Sequence, residues 1–176
     1  MRTFRFVLGY IVGIAIFVVL IPTGIYLLST LELFPFSDAI LANDLIRWIL
    51  VVPLFIVGVF FSVWSNLYLV LKGEGGPTDF DAVIISPRTR KLVVDGPYRY
   101  TRNPMVFGAN AVYVSLALFF NSWGALLAWF FFYGVIVRFF ISGEEKRLLG
   151  DFGEEYEKYR TTTPKMVPFL KRGGSG

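Results

Sequence analysis

Three uncharged, mostly apolar stretches divide the chain. They cover residues 6–31, 48–71 and 103–137. About 20 apolar residues are enough to cross the ~30 Å hydrocarbon core of a bilayer as a helix. The first two stretches therefore predict one membrane-spanning helix each, near residues 4–30 and 45–72.

The third stretch is too long for one crossing, because it would make a straight helix of roughly 50 Å. It contains the turn-forming sequence Asn-Ser-Trp-Gly at residues 121–124, in which Trp suits a membrane interface. We therefore predict a tight hairpin of two short helices, near residues 104–120 and 125–142. The predicted fold is an all-α polytopic membrane protein with four transmembrane helices, a polar loop at 73–103 and a C-terminal helical tail at 143–172.

The positions of Lys and Arg predict the orientation. They concentrate at the N-terminus, in the loop at 73–103 and in the tail, whereas the first loop is mostly acidic and the hairpin turn has none. Because basic segments stay on the cytoplasmic side, we expect an integral, multi-pass membrane protein with both termini and the long loop in the cytoplasm. Residues 1–172 form a single domain in this interpretation, and residues 173–176, Gly-Gly-Ser-Gly, are a flexible tail or a cloning remnant.

The composition limits the chemistry. Hydrophobic residues make up 55% of the chain and charged residues 17%, the net charge is +4, and there is no Cys or His. Zinc and haem sites that need Cys or His are excluded, as are histidine acid–base chemistry and a cysteine nucleophile. We expect no metal and no nucleic acid, and any chemistry should lie at the cytoplasmic interface, where the polar segments meet. Neither a catalytic residue nor the oligomeric state can be assigned from the sequence.

The first informative segment is residues 91–108. Asn103 followed by Pro104 predicts the start of a helix, with Asn as N-cap and Pro at the first helical position. A helix N-terminus attracts anions such as carboxylates, and Arg99 and Arg102 add positive charge there. The alternative is structural: Asn and Pro only begin the helix, and the arginines meet lipid phosphates.

The second informative segment is the tail, where Glu144 and Glu145 directly follow the last predicted membrane helix. Carboxylates at this depth are costly unless they have partners. One interpretation is a capping box of Ser142 with Glu145, and another is an ion pair with Arg138 or Arg147. The functional interpretation is a carboxylate pair that holds a cationic or hydroxyl-bearing ligand. The residues alone leave these alternatives open.

Together the two segments resemble a known family. The sequence Gly-Pro-Tyr-Arg-Tyr at 96–100, Arg-Asn-Pro-Met at 102–105 and the Gly at 108 are similar to the signature of integral-membrane methyltransferases. These are the isoprenylcysteine carboxyl methyltransferases and the phospholipid N-methyltransferases. The tail, with its Glu pair, Phe-Gly at 152–153 and Pro at 164, is similar to the closing block of that family. The resemblance covers about residues 88–168.

The resemblance implies S-adenosylmethionine as methyl donor, bound between the last two membrane helices and the cytoplasmic segments. Carried over by position, the residues expected at this cofactor site are Tyr98, Tyr100, Arg102, Asn103, Pro104, Gly108, Glu144, Glu145 and Tyr156. Arg138 is added as a candidate partner for the carboxylate of the donor.

Two departures from the family pattern bear on the acceptor. The carboxyl methyltransferases usually have His where this chain has Asn103, while the phospholipid branch can have Asn. Val106 stands where Tyr is common. We therefore expect a membrane lipid or lipidated acceptor, with a phospholipid amine favoured and an isoprenylcysteine carboxylate or small thiol as the alternative. A nicotinamide-dependent reductase relative and a non-catalytic membrane scaffold are the alternatives from other classes.

Overall fold

The computed structural model describes residues 2–30, 39–74, 79–80, 83–84, 89–134 and 138–168, and these residues are mainly helical. One antiparallel pair of two-residue strands is the exception to the all-α prediction. The helices are α1 (Arg2–Ile14), α2 (Ile21–Thr30), α3 (Asp44–Gly73), α4 (Pro104–Phe119), α5 (Trp123–Phe132) and α6 (Arg138–Thr162), and the strands are β1 (Asp79–Phe80) and β2 (Val83–Ile84).

A π-helical segment, Ala15–Leu20, joins α1 directly to α2. Pro22 explains it, because proline lacks an N–H group and its ring clashes with the carbonyl four residues earlier, which a wider turn relieves. Within this segment the carbonyl of Phe17 accepts a hydrogen bond from the Tyr113 hydroxyl of α4 at 2.9 Å. The disturbed turn is therefore also a point of attachment between the first helix and α4.

Two helices are long and apolar enough to cross a membrane: Phe6–Thr30, with 25 residues, and Asp44–Gly73, with 30. They coincide with the first two predicted spans. Asn43 caps α3 by accepting from Ile46 N at 3.2 Å. Many large apolar side chains on α1 to α3 are exposed, such as Ile56 at 60% and Leu71 at 75%. An apolar surface of this extent indicates a membrane environment.

The third and fourth predicted spans are shorter or differently bounded. α4 has 16 residues and α5 has 10, fewer than the ~20 of a full straight crossing. A turn separates them where predicted, with Asn121 at φ 53° and its side chain bonded to both backbone groups of Leu41 at 3.0 Å. Residues 138–142, predicted as the end of the fourth helix, are helical and counted in α6, and residues 135–137 lie outside the described residues. The four crossings stay a prediction.

The bundle is tightest where α3 crosses α4. A Cβ added to Gly108 would lie 2.6 Å from the carbonyl oxygen of Gly58 and 2.6 Å from the amide nitrogen of Ser62. Only glycine at these two positions lets the backbones approach so closely. A second contact region, formed by Ile25, Tyr113, Ala117 and Ala125, joins α2, α4 and α5. The beginning of α4 is therefore held by the rest of the bundle.

This crossing generates a prediction. Gly108→Ala and Gly58→Ala should each lower the stability by about 2 kcal/mol, because the backbone of the facing helix cannot yield as a side chain would. Thermal unfolding in lipid-containing micelles measures the effect. The matched control is Gly24→Ala in α2, where an added Cβ meets no described atom within 4 Å and the melting temperature should hardly change. Equal melting temperatures for all variants would contradict the close crossing.

Candidate functional site

The start of α4 is joined to the segment that follows α6. We call residues 163–166 the C-terminal strap. The amide of Arg102 donates to the carbonyl of Pro164 at 2.9 Å. The carbonyl of Lys165 accepts from Thr101 Oγ1 at 3.2 Å and from Asn103 Nδ2 at 2.8 Å. Three hydrogen bonds therefore fix the strap against the residues that precede α4.

Asn103 and Pro104 begin α4 as predicted, but not in the predicted manner. Pro104 is the first helical residue and Asn103 occupies the N-cap position, yet the Asn side chain makes no capping hydrogen bond. It donates instead to Lys165 of the strap. The prediction of Asn103 as a side-chain cap is wrong, because its side chain is oriented toward the strap and its oxygen does not accept from the first turn of α4.

An ion cluster lies beside this junction. Arg102 Nη1 is 2.9 Å from Glu145 Oε1, and Lys165 Nζ is 2.9 Å from Glu145 Oε2. The exposed fractions of the three side chains are 4% for Arg102, 18% for Glu145 and 39% for Lys165. One carboxylate thus serves two cations, and the cluster carries a net charge of +1.

Arg102 retains unused hydrogen-bonding capacity. Its Nε and Nη1 atoms and Glu145 Oε1 are buried without a hydrogen-bond partner among the described residues. Arg102 and Glu145 are close enough for a salt bridge but not aligned for a hydrogen bond. Unsatisfied buried donors are costly and rare in folded proteins. Because Nη1 and Oε1 lie 2.9 Å from each other, the donor of Arg102 with spare hydrogen-bonding capacity among these atoms is Nε.

The two adjacent glutamates point to different partners. Glu144 pairs with Arg147, with Oε1 2.5 Å from Nη2 and Oε2 3.2 Å from Nε. Arg147 also contacts Asp151 Oδ2 at 3.1 Å, and its side chain is only 4% exposed. Of the alternatives open from the sequence, the ion pair with Arg147 is present for Glu144, while Glu145 turns toward α4.

The capping box of Ser142 with Glu145 does not form, because Ser142 lies inside α6. Its hydroxyl donates to the carbonyl of Arg138 at 2.7 Å. Arg138 is the first residue of α6 and its side chain is exposed, so the structure gives it no described contact with the Arg102 cluster.

Three buried or half-buried tyrosines surround the cluster. The Tyr159 hydroxyl donates to the carbonyl of Tyr98 at 2.5 Å, and this bond ties α6 to the turn at Gly96–Arg99. Tyr156 is 1% exposed. Burial, reinforced by the charge of Glu145, raises the pKa of Tyr156 to about 12, although Arg102 partly opposes the rise. Burial likewise raises the pKa of Tyr98 and Tyr159 above the ordinary tyrosine value.

The other predicted site residues lie at the edge of this arrangement. The Tyr100 ring packs against Trp64 of α3 with 6.2 Å between ring centroids, and the Arg99 guanidinium lies 5.7 Å from the Tyr100 centroid. Gly108 faces α3 at the helix crossing. Both residues pack against α3 near the start of α4.

The structure thus brings together Arg102, Asn103, Glu145 and Tyr156, with Tyr98, Pro104 and Glu144 adjacent. Sequence reasoning missed Lys165. It also treated Arg147 only as a partner for the glutamates and not as part of the site. No sequence pattern links Lys165 to Glu145, because the two residues lie far apart along the chain. They become neighbours only because the chain turns after α6.

Sequence comparison relates the chain to known proteins. Residues 46–155 match the family model described as phospholipid methyltransferase. The chain is also 28% identical over 133 residues to protein-S-isoprenylcysteine O-methyltransferase of Schizosaccharomyces pombe, an alignment that covers 67% of this chain and 55% of the relative. The chain therefore spans about half the length of that relative. No solved structure matches it.

The chain belongs to the phospholipid methyltransferase family, a family of membrane methyltransferases. The family resemblance inferred from the two sequence blocks is thereby confirmed. The match includes the start of α4 and both glutamates, and it ends before the C-terminal strap.

The buried tyrosine beside the ion cluster gives a testable pH dependence. Because the pKa of folded Tyr156 is raised above the unfolded value to about 12, its contribution to stability is complete below about pH 10 and is lost as the pH rises toward 12. The melting temperature of the wild type should fall over this window, and that of Tyr156→Phe should fall less steeply. The slope of the unfolding free energy against pH should differ between the two proteins by the equivalent of up to about one proton per molecule. Thermal unfolding from pH 8 to 12 measures both slopes.

Tyrosinate absorbance provides the check. The difference between wild type and Tyr156→Phe should titrate near pH 12 while the protein stays folded. A difference that titrates near pH 10 would contradict the buried position of this hydroxyl.

Proposed function

We propose that the protein is an S-adenosylmethionine-dependent methyltransferase that methylates a lipid or lipidated acceptor at the cytoplasmic face of a membrane. The observation that carries this proposal is Arg102, a buried cation at the start of α4 whose Nε and Nη1 lack hydrogen-bond partners among the described residues. Membership of the methyltransferase family supports methyl transfer as the reaction. The positive-inside distribution of Lys and Arg supports the orientation.

The residues at the site fit this methyl donor. Arg102 would hold its carboxylate, helped by the positive end of the α4 dipole. Glu144, whose side chain is 34% exposed, would accept a hydrogen bond from an ammonium or ribose hydroxyl group. When bound, the donor supplies an activated sulfonium methyl group, so the protein contributes positioning more than acid–base help.

The tyrosines supply the rest of the enclosure. Tyr156, with its raised pKa, stays uncharged at neutral pH and serves as a neutral hydroxyl. The bond from Tyr159 to the carbonyl of Tyr98 holds the tail helix against the turn before α4. With a carboxylate acceptor no residue needs to take up a proton, whereas an amine acceptor must give up its proton before the transfer.

A phospholipid amine is the favoured acceptor. Asn103 is compatible with the phospholipid branch, and the matching family model carries that description. A lipid can approach sideways from the bilayer past the exposed apolar surfaces of α1 to α3, while a polar donor comes from the aqueous side. The acceptor would then meet the donor where the apolar helices end.

An isoprenylcysteine-type carboxylate or a small thiol is the second candidate, favoured by a specific observation. An amine must lose its proton before methylation, and Glu144 and Glu145 are both engaged by cations. A carboxylate acceptor needs no base. The Schizosaccharomyces pombe relative, a protein-S-isoprenylcysteine O-methyltransferase, agrees with this alternative.

The proposal predicts label transfer. The full chain in phosphatidylethanolamine-containing nanodiscs, supplied with methyl-labelled S-adenosylmethionine, should label the lipid. Arg102→Ala and Glu144→Gln should lower the transfer at least tenfold and weaken calorimetric binding of S-adenosylhomocysteine, since each removes a charged group that is assigned to the donor. The control Glu155→Gln, an exposed Glu on the same helix, should behave as wild type.

Different outcomes separate the alternatives. If a farnesylcysteine derivative were labelled and the lipid were not, an isoprenylcysteine-type carboxylate would replace the phospholipid amine as the proposed acceptor. Binding of a nicotinamide cofactor instead of the methyl donor would favour a reductase relative. No binding of either cofactor would contradict an enzymatic role and leave the scaffold interpretation.

A further inference from the structure

Lys165 lies outside the segment that matches the family model, yet it takes part in the site. Its backbone carbonyl accepts hydrogen bonds from Thr101 and Asn103, and its ammonium group lies 2.9 Å from Glu145 Oε2. The neighbouring Pro164 restricts the backbone, and its carbonyl accepts a hydrogen bond from Arg102 N. The backbone of Lys165 is thus fixed at the same residues that begin α4.

The charges around Glu145 decide what the cluster can bind. Without Lys165, the pair of Arg102 and Glu145 would be neutral overall, and the carboxylate would oppose any anion that approached the guanidinium. With Lys165 bound to its second oxygen, the cluster carries a net charge of +1. Arg102, 4% exposed, keeps Nε and Nη1 without hydrogen-bond partners among the described residues. A cluster of this kind attracts a single carboxylate rather than an ammonium group.

We propose that Lys165 is a positioning residue that offsets the charge of Glu145, so that Arg102 can bind the carboxylate of the methyl donor. This inference rests on the proposed function. It assigns the carboxylate end of the donor to the junction of α4 with the C-terminal strap. It also gives the strap a binding role in addition to its structural one.

The test compares two ligands that differ only in the carboxylate: S-adenosylmethionine and its decarboxylated analogue. Calorimetry on the full chain measures both affinities. Lys165→Gln should weaken binding of S-adenosylmethionine about tenfold and leave binding of the decarboxylated analogue within about twofold. Lys165→Arg should restore wild-type affinity because it returns the charge. The backbone bonds of the strap do not depend on the side chain, so all variants should fold.

Lys158→Gln is the matched control, since it removes an equal charge from an exposed position on α6 and should leave both affinities unchanged. Equal weakening of both ligands by Lys165→Gln would overturn the proposal, because it would show a merely structural effect. Equal affinity of the wild type for both ligands would overturn it as well, while leaving the methyltransferase proposal intact. If the wild type bound neither ligand, the proposed function itself would fail.

Discussion

The ion pair of Arg102 with Glu145 is the interaction on which the site depends. It joins the residues before α4 to α6, as does the hydrogen bond from the Tyr159 hydroxyl to the carbonyl of Tyr98. Burying two charges is expensive, and the mutual attraction repays the cost only with additional partners. Here the additional partner is Lys165 on the second carboxylate oxygen. Through Lys165, the C-terminal strap is therefore part of the ion cluster.

The helical bundle supplies the rigid support for this pair. Gly58 and Gly108 let α3 and α4 approach closely, and Tyr113 bonds α4 to the π-helical segment of the first helix. These contacts are made without charges, as the apolar environment requires. They fix where α4 begins, so that Arg102 and Asn103 emerge at the polar end of the bundle. The position of the site therefore depends on packed helices that take no part in its chemistry.

Sequence patterns predicted the first two long helices and the start of α4 because these depend on local signals: apolar length, Asn-Pro and Gly. They also predicted that both glutamates need partners, since a carboxylate at that depth is costly. They could not predict which partners. Adjacent residues on a helix point about 100° apart, so Glu144 and Glu145 face different neighbours. The capping role of the Asn103 side chain was wrong, because this side chain bonds to the strap through a tertiary contact.

A double-mutant cycle at Arg102 and Glu145 tests the central claim most directly. The free energy of unfolding is measured in mixed micelles for wild type, Arg102→Met, Glu145→Gln and the double variant. Each single variant leaves the remaining member of the pair buried without the other member. The losses of stability in the two single variants should therefore not add up to the loss in the double variant. We expect a coupling energy of about 2 kcal/mol. Additive losses, with a coupling near zero, would show that the pair does not join α6 to α4 and would contradict the account of the site.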